Sequence, residues 1–163
     1  MFIESHNEGP SDILYSKLGA DGRGAKHIIV PAGGTAMAPS AERTAQGLDK
    51  IQMAGREVYK FAVSKFVELI QDAAKACGVK PRDIDVVVPH QVNRRIIESA
   101  TQKLDIDPKR VVVNIDRYGN TSSASIPLAF DEAVAAGRIK RGMLAVTVAF
   151  GAGLTWGSVA IRW

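Results

Sequence analysis

Three short runs rich in β-branched residues, spaced by stretches of helical periodicity, constrain this chain most. Ile84-Asp85-Val86-Val87-Val88, Val111-Val112-Val113-Asn114-Ile115 and Leu144-Ala145-Val146-Thr147-Val148 show little apolar–polar alternation, the pattern of strands covered on both faces. Ahead of the first run, Val58, Phe61, Ala62, Phe66, Leu69, Ile70, Ala73 and Ala74 recur at helical spacing from Met53 onward, and Gly78 offers a left-handed cap. Ile96, Ile97, Ala100 and Leu104 mark a second helix after Gln91. Leu128, Ala129, Ala133 and Val134 mark a third that stops at Gly137, with Pro127 opening it or kinking a start near Ser122. This alternation predicts the α/β class: a mostly parallel sheet with helices on its faces. Ser158–Ile161 reads as a fourth strand. Only the turn Gly151-Ala152-Gly153 separates it from the third, too little chain for a crossover, so the last strand is expected to run antiparallel.

The front of the chain reads differently. Phe2-Ile3 is a possible short strand, Gly9–Asp12 and Asp21–Gly24 carry turn chemistry, Ile13–Leu18 has strand character, and the apolar run His27–Val30 is stopped by Pro31. Residues 32–46 lack any sustained period and read as an ordered surface loop.

Composition narrows the function classes. With 163 residues, 46% apolar and 23% charged, the chain is expected to fold as an ordinary globular unit. Its one cysteine, Cys77, excludes an internal disulfide framework and a cysteine-rich zinc site, and no metal site is expected. No apolar run reaches the roughly 18 residues of a membrane span, and the first residues lack the pattern of a signal peptide, so a cytoplasmic setting is expected. A net charge of +4 with 6% aromatics and no long basic run points to an acidic partner rather than to nucleic acid. Cys77 ends a predicted helix, where the partial negative charge disfavours a thiolate, and is read as structural. His6 and His27 are assigned no role.

In open α/β sheets, ligands bind beyond the carboxyl ends of the strands. Three unusual segments fall there: Pro89-His90-Gln91-Val92-Asn93, Arg117-Tyr118-Gly119-Asn120-Thr121-Ser122-Ser123 and Ala149-Phe150-Gly151-Ala152-Gly153. They gather an imidazole, a carboxamide and a glycine turn. An imidazole and a carboxamide are neutral donors able to hold an oxyanion as a carbonyl becomes an enolate. Each also has a plain structural reading: His90 as a strand-end histidine, Asn120 as a turn residue, the glycine segment as a hairpin.

Those same segments, extended to Val88–Ile97, Tyr118–Ser125 and Ala149–Ser158, resemble the carboxy-terminal half of β-ketoacyl-acyl-carrier-protein synthase III; Met53–Lys60 and Ala20-Asp21-Gly22 fit as well. The resemblance implies the thiolase-like fold, a homodimer, and a Cys-His-Asn site that condenses an acyl-CoA starter with malonyl-ACP in the initiation of fatty acid synthesis. His90 and Asn120 stand at the histidine and asparagine positions, and the Ala152 N–H at an oxyanion-hole position where the family often has glycine. Met53, Gly55, Tyr59, Val92, Asn93, Ile96 and Phe150 match the CoA or pantetheine tunnel. Lys60 and Arg95 match the patch that docks acyl carrier protein, with Arg94 and Lys103 as its possible extension. No cofactor beyond these substrates is implied. The family's cysteine nucleophile belongs to its amino-terminal half, and nothing in this chain takes its place. Residues 1–45 are expected to be the end of that half plus a connecting loop, and residues 46–163 the carboxy-terminal condensing-enzyme domain. The alternatives are a noncatalytic ACP- or CoA-binding fragment, or half of a related condensing enzyme of secondary metabolism.

Overall fold

A computed structural model describes residues 12–163; the expected Phe2-Ile3 strand, His6 and most of the first turn lie outside them. Strand β1 (Asp12–Ala20) is followed by a 3-10 turn at Gly22–His27, the two-residue strand β2 (Ile28–Ile29), helix α1 (Ala41–Ala45) and strand β3 (Gln52–Met53). Helix α2 (Gly55–Ala76), strand β4 (Val86–Pro89), helix α3 (Arg94–Lys103) and the short helix α4 (Ile115–Tyr118) come next. Helix α5 (Ser125–Ala135) and the hairpin of β5 (Leu144–Gly151) and β6 (Thr155–Arg162) complete the chain.

The main sheet has the order β1-β6-β5-β4. β4 and β5 are parallel, and β6 runs antiparallel to both β5 and β1. Pairing along β1 is continuous from Asp12 to Ala20 apart from one bulge near Tyr15, which builds the front segment into the same body as the rest. β2 and β3 form a separate pair, Ile28 opposite Met53.

Period-two alternation explains how β4 and β5 bury both faces. Val87, Val146, Val148 and Phe150 join a core with α2 and α3, while Val86, Val88 and Ala145 join a second core with α5. The α2 stripe supplies Val58, Ala62, Phe66, Leu69, Ile70 and Ala73, all buried. Fully burying such aliphatic or aromatic side chains contributes roughly 1.5–3 kcal/mol each. Gly78 and Gly137 follow α2 and α5 with φ of 69° and 67°, the left-handed conformation that glycine adopts without a Cβ penalty.

Three expectations are corrected. The run 111–115 is not a full strand: Val111 makes a single parallel bridge to Val87, and the Val112 N–H donates to the Val87 carbonyl at 2.9 Å. The chain then leaves the sheet, because the Asn114 N–H is taken by the Gln91 side chain and Ile115 opens α4. The sheet is therefore mixed rather than mostly parallel, with one parallel ladder and two antiparallel ones among the described residues. Residues 32–46 also contain α1, whose cap is Ser40, its Oγ accepting from the Arg43 N–H at 3.2 Å. Pro127 lies in the first turn of α5, which follows a 3-10 turn at Ser122–Ala124.

Among the described residues, nothing covers the face of the sheet shared with α5 over β1 and β6. Leu18, Ile126, Ala149, Gly157 and Val159 line an open, mostly apolar trough of about 440 Å³, with Leu18 86% exposed.

Candidate active site

His90 follows Pro89 at the carboxyl end of β4, and its backbone N–H prolongs the sheet by donating to the Val148 carbonyl at 2.8 Å. Its Nδ1 lies 2.6 Å from Oγ of Ser125, the buried first residue of α5. Its ring stands edge-on to Phe150, with centroids 6.1 Å apart and planes at 73°. Burial pushes the imidazole pKa below its ordinary value of 6.5. Near neutral pH this is a neutral ring, which can donate one N–H.

The neighbouring residue fastens the loop. Gln91 is 1% exposed. Its Nε2 donates to the carbonyls of Pro89 (2.9 Å) and Val112 (3.1 Å), and its Oε1 accepts the Asn114 N–H at 2.9 Å. Asn114, also buried, donates from Nδ2 to Oε2 of Glu132 at 2.8 Å. Arg117 grips Glu132 with two bonds, of 2.9 and 2.8 Å, and the Tyr118 hydroxyl donates to the same carboxylate at 2.7 Å. The hydrogen bond from Asn114, followed by those from Tyr118 and Arg117, holds the Glu132 carboxyl below its ordinary pKa.

Asn120 lies in the link between α4 and α5, just after Gly119, whose φ is 69°. It is exposed, and its Oδ1 accepts the Ser122 N–H at 3.0 Å. The carboxamide oxygen thus closes a local turn and leaves the Nδ2 hydrogens as donors. No hydrogen bond joins Asn120 to His90; they are connected through α5, whose first residue, Ser125, holds the imidazole.

Ala152 sits exposed in the β5–β6 turn, its carbonyl accepting from Oγ1 of Thr155 at 3.1 Å. Asp21 and Leu154 exchange backbone hydrogen bonds of 2.8 and 3.0 Å, which tie this turn to the chain after β1.

The remaining candidates divide between rim and core. Met53 and Tyr59 are exposed, and Gly55 opens α2. The Tyr59 hydroxyl meets Oγ of Ser99 at 2.8 Å, bridging α2 and α3. Asn93 caps α3, its Oδ1 accepting the Arg95 N–H at 2.9 Å, while Val92 is half-buried. Ile96 and Phe150 are buried in the α2–α3 core, Phe150 edge-on to Phe66 as well as to His90. Lys60 is exposed and faces Glu57 at 3.6 Å, Arg94 faces Asp116 at 3.4 Å, and Arg95 and Lys103 are exposed on α3. Cys77 follows α2, and burial pushes its thiol pKa up, the opposite of what a nucleophile needs. Ser125, Asn114 and Glu132 escaped the sequence reading: they lie 35, 24 and 42 positions from His90, and no local motif signals such pairings.

The mixed sheet with helices on its faces, carrying a histidine just past the carboxyl end of β4, is an α/β domain of the thiolase-like fold. The family profile described as 3-oxoacyl-[acyl-carrier-protein (ACP)] synthase III C terminal matches residues 74–163. The chain belongs to this family. It is 52% identical over 151 residues to β-ketoacyl-[acyl-carrier-protein] synthase III of Symbiobacterium thermophilum, covering 93% of this chain and 46% of that protein. It is 47% identical over 157 residues to the protein of the same name from Clostridioides difficile, covering 96% and 47%. The crystal structure of 3-oxoacyl-[acyl-carrier-protein] synthase III from Aquifex aeolicus superposes with a TM-score of 0.83 at 39% identity, covering 98% of this chain and 47% of that one. The chain thus spans about half the length of the relatives it matches. Among the described residues, no helix is long and apolar enough to cross a membrane.

Proposed function

We propose that this chain supplies the His-Asn half of a 3-oxoacyl-ACP synthase III site, which joins an acyl-CoA starter to malonyl-ACP. The observation that carries the reading is the neutral, half-buried His90 at the carboxyl end of β4, anchored on Ser125. In the proposed reaction, a cysteine of the family's other half holds the starter as a thioester. The bond from the malonyl Cα to its carboxylate breaks, carbon dioxide leaves, and the electron pair passes into an enolate. His90 and Asn120 donate hydrogen bonds to the thioester oxygen as its charge grows. The enolate carbon attacks the acyl carbonyl, whose oxygen is received by the Ala152 N–H, and the cysteine thiolate departs.

Met53, Gly55, Tyr59, Val92, Asn93, Ile96 and Phe150 are assigned to the pantetheine arm. Ile96 and Phe150 are buried, which supports reading them as the floor of that tunnel rather than its mouth. Lys60 and Arg95, extended by Arg94 and Lys103, are assigned to the acidic carrier protein, an electrostatic partner for a chain of net charge +4. Residues 1–45 are read as the end of the amino-terminal half plus a connecting loop, and residues 46–163 as the carboxy-terminal condensing-enzyme domain. The open trough beside Leu18 supports a second half seated on the sheet. The assembled enzyme is read as a cytoplasmic homodimer.

The test is co-expression with the amino-terminal half of a relative, followed by assay of 3-oxoacyl-ACP. The pair is expected to turn over, and the purified chain alone is expected to be inactive. Turnover by the chain alone refutes the half-site assignment. Binding of carrier protein or CoA without turnover, even with the other half supplied, makes the chain a noncatalytic binding module.

A further inference from the structure

We infer that Ser125 is a positioning residue that fixes His90 as the tautomer protonated on Nε2. This deepens the proposed function and rests on it only for its catalytic meaning. Ser125 Oγ has one hydrogen to give, and the Gln91 backbone N–H points at it from 3.3 Å. That N–H can only donate, so at this contact the hydroxyl is an acceptor. Oγ lies 2.6 Å from Nδ1 of His90, and no other acceptor is within its reach among the described residues. With Ser125 only 2% exposed, water is a poor substitute, and a hydroxyl hydrogen left unused would be costly. The hydrogen therefore goes to Nδ1, and Nδ1 must offer a lone pair. A neutral imidazole with a bare Nδ1 carries its hydrogen on Nε2.

The backbone makes this arrangement firm. Ser125 opens α5, and Ala129, Phe130 and Ala133 of that helix are packed into the sheet. His90 is held from the other side by its N–H to the Val148 carbonyl and by the edge of Phe150. The serine thus sets both which nitrogen is protonated and how the ring is turned. In the proposed reaction this delivers an N–H donor, not a lone pair, to the developing oxyanion.

The test is nitrogen NMR of the 163-residue chain labelled with [15N]histidine, near neutral pH. His90 is assigned by the loss of its signals in His90→Gln, which separates it from His6 and His27. The wild-type chain is expected to show Nε2 as the protonated, pyrrole-type nitrogen, and Nδ1 as a pyridine-type nitrogen shifted upfield by an accepted hydrogen bond. Ser125→Ala is expected to move Nδ1 downfield toward the free pyridine value, and Ser125→Thr, which keeps the hydroxyl, to hold it near wild type. A wild-type His90 protonated on Nδ1 overturns the inference, whether or not the variants fold. So does an unchanged Nδ1 resonance in a folded Ser125→Ala chain. The spectra require no turnover. If they come out as expected while the assembled enzyme decarboxylates malonyl-ACP without need of His90, the tautomer assignment stands and the proposed function falls.

Discussion

Asn114 gives its backbone N–H to Oε1 of Gln91 at 2.9 Å, and both residues are buried. This one bond ties the loop that begins with His90 to the segment that leads to Asn120. The Gln91 Nε2 bonds to the Pro89 and Val112 carbonyls make the amide a three-way clamp.

Gln91→Ala is therefore expected to destabilise the chain by about 2–4 kcal/mol, since it strands buried backbone groups that water reaches poorly. Urea denaturation of the purified variant measures this. A loss below about 0.5 kcal/mol, the range of an indifferent surface change, would show that the clamp is not needed.

Glu132 gives stability a pH dependence of definite sign. Its carboxyl is held below the ordinary value of 4.5, first by Asn114, then by Tyr118 and Arg117. The folded state therefore binds fewer protons than the unfolded state between the depressed value and 4.5. The contribution is complete above that window and is lost as pH falls through the folded value. Denaturation midpoints measured on acidification should fall less steeply in Glu132→Gln than in wild type, although the variant starts lower at neutral pH. Parallel acid limbs would remove Glu132 from the account.

Gly19 is fixed by its neighbour across the ladder. A Cβ there would lie 2.5 Å from Cε2 of Trp156, whose ring also packs against Phe61, at 5.8 Å, and under the Lys65 ammonium, at 4.2 Å. Gly19→Ala must displace the indole, at a cost of about 1–3 kcal/mol. Thermal melting and the tryptophan emission maximum should both shift. An unaltered emission spectrum would mean that the strand, not the ring, gives way.

Helix and strand periods made most of this fold legible. The α2 stripe from Val58 to Ala74 faces the core as its spacing demands, and the short Gly151–Gly153 link does impose an antiparallel last strand. The run at Val111 misled because β-branched composition reports a willingness to extend, not a partner. Side chains 18 and 23 positions away along the chain, Glu132 and Gln91, draw Asn114 out of register with β4. Helix α1 left a faint signal in Ser40, a good cap, but spans five residues, too few for periodicity to register. His90 does follow a strand, as expected, but Asn120 does not: it lies in the link between α4 and α5. The serine behind the histidine could not be picked out, because its role exists only once α5 is laid against β4.

In the assembly with an amino-terminal half, starter acylation of the cysteine and decarboxylation of malonyl-ACP can be followed separately, by acyl transfer from labelled acyl-CoA and by release of carbon dioxide. His90→Ala and Asn120→Ala are each expected to slow decarboxylation on the order of 100-fold, the effect of deleting one oxyanion donor, while acylation largely survives. Decarboxylation at the wild-type rate in either variant would contradict the account.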